Sequence, residues 1–456
     1  MASYQPYSEY KSTKVQWLGK IPAHWFALPL RRLIVTVKTG STPSGVNEDH
    51  FDDEGLAWFR PGDFSDFVFL EKAEKQLSIN REIEVRVFPE NTVMHVGIGA
   101  TIGKVGVIKQ PSSCNQQINA IICNDRLESL YACFYLQSIK NYIVKCGKYT
   151  TLPIINQDET KALIFTVPSI DEQKIIADYL CYKTAQIDAL IAKKQTLLTK
   201  LAEKRTALIS HAVTKGLDPS APTKNSGVEW LGEIPMSWEF LPFRRLMVGG
   251  TQNGLYKHTS FFHTTGLPFI QMGEAFAAPV IKQTAKDRVL VTDAELQQWG
   301  LKEGDLIFAR RSLVFEGSGK CSIVGELQEP HIYESSMIRV RLNKKNVIPM
   351  FGFYYFCSTY ARAQILSTTK QVTISGIDSQ QLKNISVCLP PVNIQKQIID
   401  FIETEELRYL QSCETINKII SKLIEYRSAL ITNAVTGKID VRDFQIPLTP
   451  QEAAHA

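Results

Sequence analysis

Residues 15–33 read VQWLGKIPAHWFALPLRRL, and residues 228–246 read VEWLGEIPMSWEFLPFRRL. Twelve of the nineteen positions are identical, including both tryptophans and the closing Arg-Arg-Leu. The two copies begin 213 residues apart. A chain of 456 residues is too long for one ordinary hydrophobic core. A long internal repeat therefore predicts two halves of similar construction.

A second repeat closes each half. SIDEQKIIADYL at 169–180 corresponds to PVNIQKQIIDFI at 391–402, and RTALISHAVT at 205–214 corresponds to RSALITNAVT at 427–436. Both pairs lie 222 residues apart, so the second globular part carries nine extra residues (222 − 213). Each half thus opens with Trp-Leu-Gly-x-Ile-Pro and closes with Arg-x-Ala-Leu-Ile.

The segments between these closing repeats are predicted to be long helices, because residues 170–215 and 392–436 contain neither proline nor glycine. Steps of seven residues place these apolar or aromatic side chains on one face of each helix: Leu180, Ile187, Leu201 and Leu208, then Ile402, Tyr409, Ile416, Leu423 and Leu430. About 44 residues make a rod of roughly 65 Å. Such a rod cannot stand alone in water, so we expect the two helices to pair as an antiparallel coiled coil. The alternative is that each helix is buried in its own domain.

The globular parts are predicted to be mixed α and β domains. Short β-branched segments broken by glycine, such as 92–108, alternate with aromatic segments such as 351–366. The predicted divisions are 1–167 and 228–389 for the two domains, 168–215 and 390–436 for the helices, 216–227 for a linker and 437–456 for a tail. We expect the tail to lie beside the N-terminal YSEYKSTK, which would close a circle in space.

The composition argues against a membrane protein and against a secreted, disulfide-bonded protein. The net charge of +5 is compatible with a polyanionic partner without demonstrating one. No apolar run is long enough for a membrane helix, and the polar N-terminus lacks a signal peptide. Nine scattered cysteines with no Cys-x-x-Cys spacing indicate free thiols in a reducing compartment. We therefore expect a cytoplasmic protein that contacts no membrane.

Motifs for chemistry are absent. The glycines of 97–103 lack the spacing of a dinucleotide or phosphate loop. The run 172–174, Glu-Gln-Lys, has the spacing of a nuclease triad, but its counterpart 394–396 is Ile-Gln-Lys. His258 and His263 share no helical face, so they do not predict a metal site. We expect no catalytic residue, metal or cofactor in this chain.

Polar and basic residues recur at loop positions of both globular parts. Arg and Lys suit guanine edges and phosphates, Asn and Gln suit adenine, and the Thr methyl suits thymine. The candidates for DNA contact in the first half are Lys38, Thr39, Ser41, Thr42, Arg60, Lys104, Asn115, Gln116, Lys148, Tyr149 and Thr150. Those in the second half are Asn253, Tyr256, Lys257, Gln271, Arg310, Arg311, Lys320, Lys370 and Gln371. Two such domains on one rod can read two separated half-sites.

These features resemble the specificity subunit of type I restriction–modification enzymes across nearly the whole chain. The resemblance is carried by the doubled Trp-Leu-Gly-x-Ile-Pro-x-x-Trp, by Gly-Ser-Thr-Pro at 40–43, and by the segments that open and close the helices. WFRPGD at 58–63 and FIQMGE at 269–274 also fit the start of a recognition domain in that family. The second half departs from the pattern, because GGTQNGLYKH replaces Gly-Ser-Thr-Pro there.

The resemblance implies two target-recognition domains related by pseudo-twofold symmetry. Each would read one half of a bipartite, asymmetric site in double-stranded DNA. The helices would dock two methyltransferase subunits, which bind S-adenosylmethionine and methylate adenine after flipping it out. Restriction subunits, where present, would use ATP and Mg. The chain itself would then be a non-catalytic subunit.

Two other classes of function remain open from the sequence. One is a coiled-coil scaffold that bridges protein partners without reading DNA. The other is an enzyme that modifies RNA or cleaves DNA with a site too dispersed to recognise. Sequence-dependent, salt-sensitive DNA binding separates the first hypothesis from the scaffold.

Overall fold

A computed structural model of the chain describes residues 5–42, 51–65, 67–78, 85–146, 148–149, 153–229, 231–282, 285–369 and 375–447. The chain divides into two compact units. Unit 1 comprises Met1–Lys194 and Asn417–Ala456, and unit 2 comprises Gln195–Ile416. Each unit therefore contains one globular part together with portions of both long helices.

Unit 1 is built from short strands and helices followed by the first long helix. Its strands are β1 Tyr10–Ser12, β2 Lys20–Pro22, β3 Phe26–Pro29, β4 Ile34–Thr39, β5 Phe51–Phe59, β6 Phe69–Leu70, β7 Gln76–Leu77, β8 Val93–Val96, β9 Val105–Ile108, β10 Ser113–Cys114, β11 Ile118–Cys123, β12 Lys148–Tyr149, β13 Pro153–Ile154 and β14 Ile164–Val167. Its helices are α1 Ser129–Ser138, α2 Lys140–Cys146 and α3 Gln157–Ala162, and α4 Ile170–Lys215 runs on into unit 2.

Unit 2 repeats this order of elements with its own additions. Its strands are β15 Thr223–Asn225, β16 Glu233–Pro235, β17 Glu239–Pro242, β18 Met247–Asn253, β19 Phe262–Ile270, β20 Val280–Ile281, β21 Arg288–Val289, β22 Leu306–Ala309, β23 Arg311–Ser312, β24 Cys321–Val324, β25 Ile332–Tyr333, β26 Met337–Leu342, β27 Ser375–Gly376 and β28 Ser386–Leu389. Its helices are α5 Met272–Ala275, α6 Asp293–Trp299, α7 Pro349–Cys357, α8 Thr359–Thr368 and α9 Ser379–Asn384, and α10 Val392–Val435 runs on into unit 1.

The two globular parts share one sheet topology. A five-stranded sheet has the order β4-β11-β8-β9-β6 in unit 1 and β18-β26-β22-β24-β20 in unit 2. A three-stranded sheet accompanies it, with the order β10-β5-β7 in unit 1 and β21-β19-β25 in unit 2. The hairpin β1-β2 likewise corresponds to β15-β16. The nine extra residues of the second half are therefore accommodated without changing the sheet.

The opening segment of each half packs against the end of a long helix. In unit 1, Trp25 is fully buried, and Gly437, two residues beyond α10, lies against Pro22 and Trp25. In unit 2, Gly216, directly after α4, lies against Pro235 and Trp238. Both glycines have positive φ, 71° and 82°, the left-handed conformation that ends helices.

A repeated glutamine fixes the start of each long helix. Gln173 Nε2 donates to the carbonyls of Arg126 (3.0 Å) and Pro168 (3.1 Å), and its Oε1 accepts from the backbone of Glu128 (2.9 Å). In unit 2, Gln395 bonds in the same way to Asn346 O, Pro390 O and Ile348 N, at 2.9, 2.9 and 2.8 Å. Both side chains are fully buried, so their hydrogen bonds have to be satisfied internally.

The two long helices are antiparallel. In unit 1, Arg427 Nε lies 2.9 Å from Asp188 Oδ1, and in unit 2, Arg205 Nη2 lies 2.6 Å from Glu406 Oε1. As the residue number rises along α4, the number of its partner on α10 falls. The predicted fold class, two mixed α/β domains joined by two long helices in an antiparallel coiled coil, is confirmed.

Burial of the heptad positions varies along the two long helices. Leu180, Ile187, Ile402, Ile416 and Leu430 are buried, whereas Leu201, Leu208, Tyr409 and Leu423 are half-buried. Each unit packs the ends of α4 and α10 into its own hydrophobic core. Several apolar side chains of the long helices face solvent, among them Leu190, Leu407 and Leu410.

Candidate nucleic-acid interface

One edge of the five-stranded sheet in unit 1 gathers three loops. Strand β11 is antiparallel to both β4 and β8, so its start lies beside their ends. Two backbone hydrogen bonds mark this edge: Gly40 N to Ile118 O (3.1 Å) and Gly97 N to Gln117 O (2.8 Å). We call the loops 40–42, 97–103 and 115–117, together with β13, the loop edge of unit 1.

The equivalent edge of unit 2 is formed in the same way. Gly254 N donates to Met337 O (3.0 Å), and Arg310 N donates to Ser336 O (2.9 Å). Strand β23 then pairs with β27. We call the loops 254–258, 310–319 and 334–336, together with β27, the loop edge of unit 2. Polar clusters that are far apart in sequence thus meet at one edge of each domain.

Several of the predicted side chains on or beside the loop edge of unit 1 face solvent. Lys38, Thr42 and Gln116 are exposed, and the hydroxyl of Thr42 is hydrogen-bonded to Gln116 Oε1. Asn115 is buried, and its amide nitrogen lies 3.0 Å from Gln117 Oε1. Thr39 and Ser41 are half-buried beside them. Lys148 and Tyr149 form β12, and Thr150 lies outside the described residues.

A glycine holds this edge closely packed. A Cβ atom on Gly40 would lie 2.2 Å from Cys114 O and 2.4 Å from Asn115 O. Such distances are far below van der Waals contact, so only glycine allows the end of β4 to approach the 114–115 backbone. The sequence singled out this glycine as part of Gly-Ser-Thr-Pro, and the structure gives the physical reason for it.

A different set of side chains is exposed on or beside the loop edge of unit 2. Asn253, Tyr256, Arg311 and Lys320 are exposed, and Tyr256 is 77% accessible. Arg310 is half-buried, with Nη1 3.5 Å from Ser335 O. Lys370 and Gln371, which the sequence also predicted, lie outside the described residues.

Several predicted contacts are already engaged within the protein. Lys104 Nζ donates to Phe64 O (2.6 Å), and Lys320 Nζ donates to Phe276 O (3.1 Å) in the matching position of unit 2. Both ammonium groups therefore tie the start of a strand to a neighbouring loop. If either lysine contacts DNA, its ammonium group would bind the DNA and that carbonyl at the same time.

Three further candidates have side-chain partners. Arg60 lies 2.5 Å from Glu74, Lys257 lies 2.7 Å from Glu295, and Gln271 donates to Asp287. The side chain of Lys257 is only 9% exposed, and its ammonium group also lies over the Phe261 ring. The Lys257 ion pair holds the pKa of Glu295 below its usual value. The polar groups of these three residues are therefore engaged in supporting the loops and are less available to a ligand.

The two loop edges share equivalent backbone hydrogen bonds but differ in their side chains and in loop length. Ile155 N donates to Gly97 O (2.8 Å) in unit 1, and Ile377 N donates to Arg310 O (3.1 Å) in unit 2, so Arg310 stands where unit 1 has glycine. Gly103 N bonds to Val96 O and Gly319 N bonds to Ala309 O. Between those closing points, residues 97–102 in unit 1 are replaced by the longer loop 310–318 in unit 2.

Glu172, whose nuclease-like spacing with Lys174 is not repeated in the second half, has a structural role. Its carboxylate accepts hydrogen bonds from Tyr7 Oη (2.8 Å) and Trp25 Nε1 (3.0 Å), and it lies 2.9 Å from His24 Nε2. The residue is buried within unit 1. Glu172 therefore ties the N-terminal segment to the start of α4, a role that local spacing could not reveal.

The C-terminal segment lies beside the N-terminal one. Asp440 N donates to Gln5 O (2.8 Å), and the Tyr10 hydroxyl donates to Gly437 O (2.9 Å). The Arg442 guanidinium lies 5.1 Å from the centre of the Tyr7 ring and 2.6 Å from Asp440. In unit 2 the corresponding junction is made within one stretch of chain, described at 216–229 and 231–235. In unit 1, hydrogen bonds thus join the end of α10 to the opening segment, whereas in unit 2 the end of α4 is covalently connected to the opening segment.

Metal-ligating side chains and thiols are the chemical groups most open to a direct geometric test. Among them, no group of three His, Cys, Asp or Glu side chains is placed to hold a metal ion. Burial raises the pKa of the Cys114 thiol to about 12, which disfavours the reactive thiolate. Across the same part of the chain, no helix combines the length and apolar character needed to cross a membrane.

The sequence was compared with known protein families and with characterised proteins. The family model for the type I restriction modification DNA specificity domain matches residues 34–200 and 270–425. The chain is 22% identical to the type I restriction enzyme MjaIX specificity subunit of Methanocaldococcus jannaschii, over 97% of this chain and 99% of that protein. It is 23% identical to the type I restriction enzyme EcoKI specificity subunit of Escherichia coli K12, over 92% of this chain and 90% of that protein.

Solved structures share the fold. A chain from a study of complex assembly and conformational transition of the type I R-M system superposes with a TM-score of 0.70 at 12% identity, covering 92% of this chain and 99% of the other. The crystal structure of the HsdS subunit from Thermoanaerobacter tengcongensis gives a TM-score of 0.50 at 12% identity, covering 92% and 98%. At this identity, the likeness concerns the fold alone.

Proposed function

The chain belongs to the type I restriction–modification DNA specificity family, and from that premise we propose that it supplies the sequence specificity of such an enzyme. Each unit reads one half of a bipartite, asymmetric DNA site through its loop edge. The paired helices set the spacing between the half-sites and dock two methyltransferase subunits. The chain acts as a non-catalytic subunit.

The observation that carries this proposal is the pair of loop edges. Both are built on the same sheet topology, and they differ in loop length and in the side chains they expose. Duplicated scaffolds that differ at one edge suit the reading of two different half-sites. A scaffold that only bridges proteins has no need for this difference, and the comparisons lend that alternative no support.

The exposed side chains suit DNA. The Lys38 and Arg311 cations can neutralise phosphate, and Arg311 can also donate to the guanine edge. Thr42, Gln116 and Asn253 offer hydroxyl and amide groups for base edges. The engaged residues, Lys104 and Lys320 among them, would hold these groups in place.

The middle of the helices suits protein partners. Leu190, Leu197, Leu407, Leu410 and Ile424 are between 40% and 62% exposed on α4 and α10. Exposed apolar side chains on these helices are candidates for contact with protein partners. We assign this surface to the methyltransferase subunits.

The chemistry of the complex lies in those partners. Methyltransferase subunits would bind S-adenosylmethionine and methylate a flipped adenine. Restriction subunits, where the host encodes them, would bind ATP and Mg. The chain would act in the cytoplasm, where its DNA is found.

The test is to express the chain with its methyltransferase subunits and to sequence the methylated adenines of the host DNA. We expect one bipartite motif with a fixed spacer. Exchanging residues 38–165 for the recognition domain of another family member should change one half of that motif and leave the other half intact. The matched control is the complex without this chain, which should leave the motif unmethylated. Methylation without a shared motif, or the same motif after the exchange, would contradict the proposal.

A further inference from the structure

The longer loop of unit 2 carries two adjacent apolar side chains at its tip. Leu313 is 88% exposed and Val314 is 61% exposed. Among the exposed large hydrophobic residues of the described part of the chain, Leu313 is the most accessible. The corresponding loop of unit 1 has Ala100 and Thr101 in its middle and no large apolar side chain exposed there. This apolar tip is therefore a property of one recognition unit.

The loop holds its tip in a defined position. Its first residues, Arg311 and Ser312, pair with β27 as a strand. The Arg362 guanidinium donates from Nη1 to Ser318 O (2.8 Å) and from Nη2 to Glu316 O (2.5 Å), which fixes the returning limb. The backbone N–H of Val314 also donates to Ser312 Oγ (3.2 Å). Anchors on both limbs mean that little conformational entropy remains to be lost when a ligand covers the tip.

The charge around the tip favours a polyanion. Residues 310–320 hold three cations, Arg310, Arg311 and Lys320, and one carboxylate, Glu316, for a net charge of +2 (3 − 1). The loop starts from the same sheet edge as the exposed Asn253 and Tyr256 loop. The apolar tip therefore lies among cations on the loop edge that we propose contacts DNA.

We propose that Leu313 and Val314 form an apolar contact for a thymine methyl group in the half-site read by unit 2. The C5-methyl of thymine is the one apolar group that a base pair presents in the major groove, and apolar side chains recognise it there. This inference rests on the proposed function and adds a specificity determinant to it. It predicts that the half-site of unit 2 contains a thymine whose methyl group contributes to binding.

The test removes the thymine methyl group and the Leu313 side chain, each alone and then both together. Duplexes carrying the motif mapped by methylation sequencing are made with each thymine of the unit 2 half-site replaced in turn by deoxyuridine, which lacks only the methyl group. Binding of the complex with its methyltransferase subunits is measured by fluorescence anisotropy, at one salt concentration for the replacements and over a series of salt concentrations for the variants. For wild type, we expect one replacement to weaken binding about fourfold, the change typical of one buried methyl group.

The variant Leu313→Ala should weaken binding to the thymine duplex and should be insensitive to that deoxyuridine. Such non-additivity is the signature of direct contact. Leu313→Met should keep most of the thymine preference. Arg311→Ala should instead lower the salt dependence by about one counterion, whereas Leu313→Ala should leave it unchanged. Val248→Ala removes a 55% exposed side chain near the opposite end of the same sheet and serves as the matched control.

Three outcomes would overturn the proposal. The first is equal deoxyuridine sensitivity in wild type and Leu313→Ala. The second is insensitivity of wild type to every replacement. The third is loss of methyltransferase assembly in Leu313→Ala, seen by size-exclusion chromatography, which would assign the tip to a protein partner. Failure of the proposed function is distinguishable, because the wild-type complex would then yield no methylation motif.

Discussion

The Tyr7 hydroxyl donates a 2.8 Å hydrogen bond to the buried carboxylate of Glu172, across 165 residues of sequence. The bond joins the N-terminal segment to the first turn of α4, while Asp440 N bonds to Gln5 O from the other end of the chain. The N-terminal segment, the start of α4 and the C-terminal segment therefore meet at this junction of unit 1. At the corresponding junction of unit 2, the chain itself is continuous. The stability of unit 1 therefore depends on side chains where unit 2 relies on covalent connection.

Replacing Tyr7 by Phe should weaken this junction. The change leaves the buried Glu172 carboxylate with one donor fewer, and we expect a loss of about 2 kcal/mol in the free energy of unfolding of the segment. Hydrogen exchange measured by mass spectrometry should show faster exchange in peptides from 5–22, with peptides from 223–240 unchanged. Tyr256→Phe, at a 77% exposed site, is the control. Unchanged protection of 5–22 would show that the hydrogen bond contributes nothing to closure.

The two helix-ending glycines should differ in their tolerance of alanine. Both have positive φ, which costs an L residue roughly 1 kcal/mol. A Cβ on Gly437 would also lie 2.3 Å from Pro22 Cδ, whereas the nearest atom to a Cβ on Gly216 is Trp238 Cζ2, at 3.3 Å. Thermal unfolding should therefore show a larger fall in Tm for Gly437→Ala than for Gly216→Ala. Equal falls would mean that the Pro22 contact relaxes without cost.

His95 should make the stability of unit 1 depend on pH. The residue is fully buried on β8, both ring nitrogens lack hydrogen-bond partners among the described atoms, and burial lowers its pKa from 6.5 to about 4. Between these values the unfolded chain binds the proton and the folded chain does not. Stability is thus fully present above pH 6.5 and falls as the pH drops toward 4, by roughly 3 kcal/mol in all.

Replacing His95 by Phe should remove this dependence. Phe308 occupies the equivalent position of β22, where it packs in the core of unit 2. We expect His95→Phe to raise the free energy of unfolding at pH 5 and to flatten its change with pH, measured by urea denaturation. His211→Gln, at an exposed histidine, is the control. A pH dependence that survives in His95→Phe would assign it to other groups.

A paired deletion should change the spacing of the DNA motif. Removing residues 187–193 from α4 alone deletes Asp188, the ion-pair partner of Arg427, and shifts the rest of α4 by seven residues relative to α10. Removing 422–428 from α10 as well restores antiparallel pairing and shortens the rod by about 10 Å. Methylation sequencing should then show a spacer shorter by about three base pairs, with both half-sites unchanged. The single deletion should abolish methylation, and an unaltered spacer after the double deletion would contradict a role of the helices in spacing.

The sequence determined the architecture because its signals are long and repeated. Two helices without proline or glycine and a doubled opening segment require two domains on one rod, since each apolar stripe has to be buried. The repeated glutamines at 173 and 395 were visible in the sequence, although their buried hydrogen bonds were not. The loop clusters were also visible, and they meet at one edge of each sheet, as strand pairing dictates.

Only the tertiary structure decided which of the candidate side chains face solvent. Lys104 and Lys320 read as cations for DNA, but each donates to a backbone carbonyl some forty residues distant, at Phe64 and Phe276. Glu172 read as a coincidence of spacing, but it accepts from residues near the N-terminus. Periodicity is a local property that the sequence states directly. A side chain's partner is set by the folding of distant segments onto each other, and no local pattern records it.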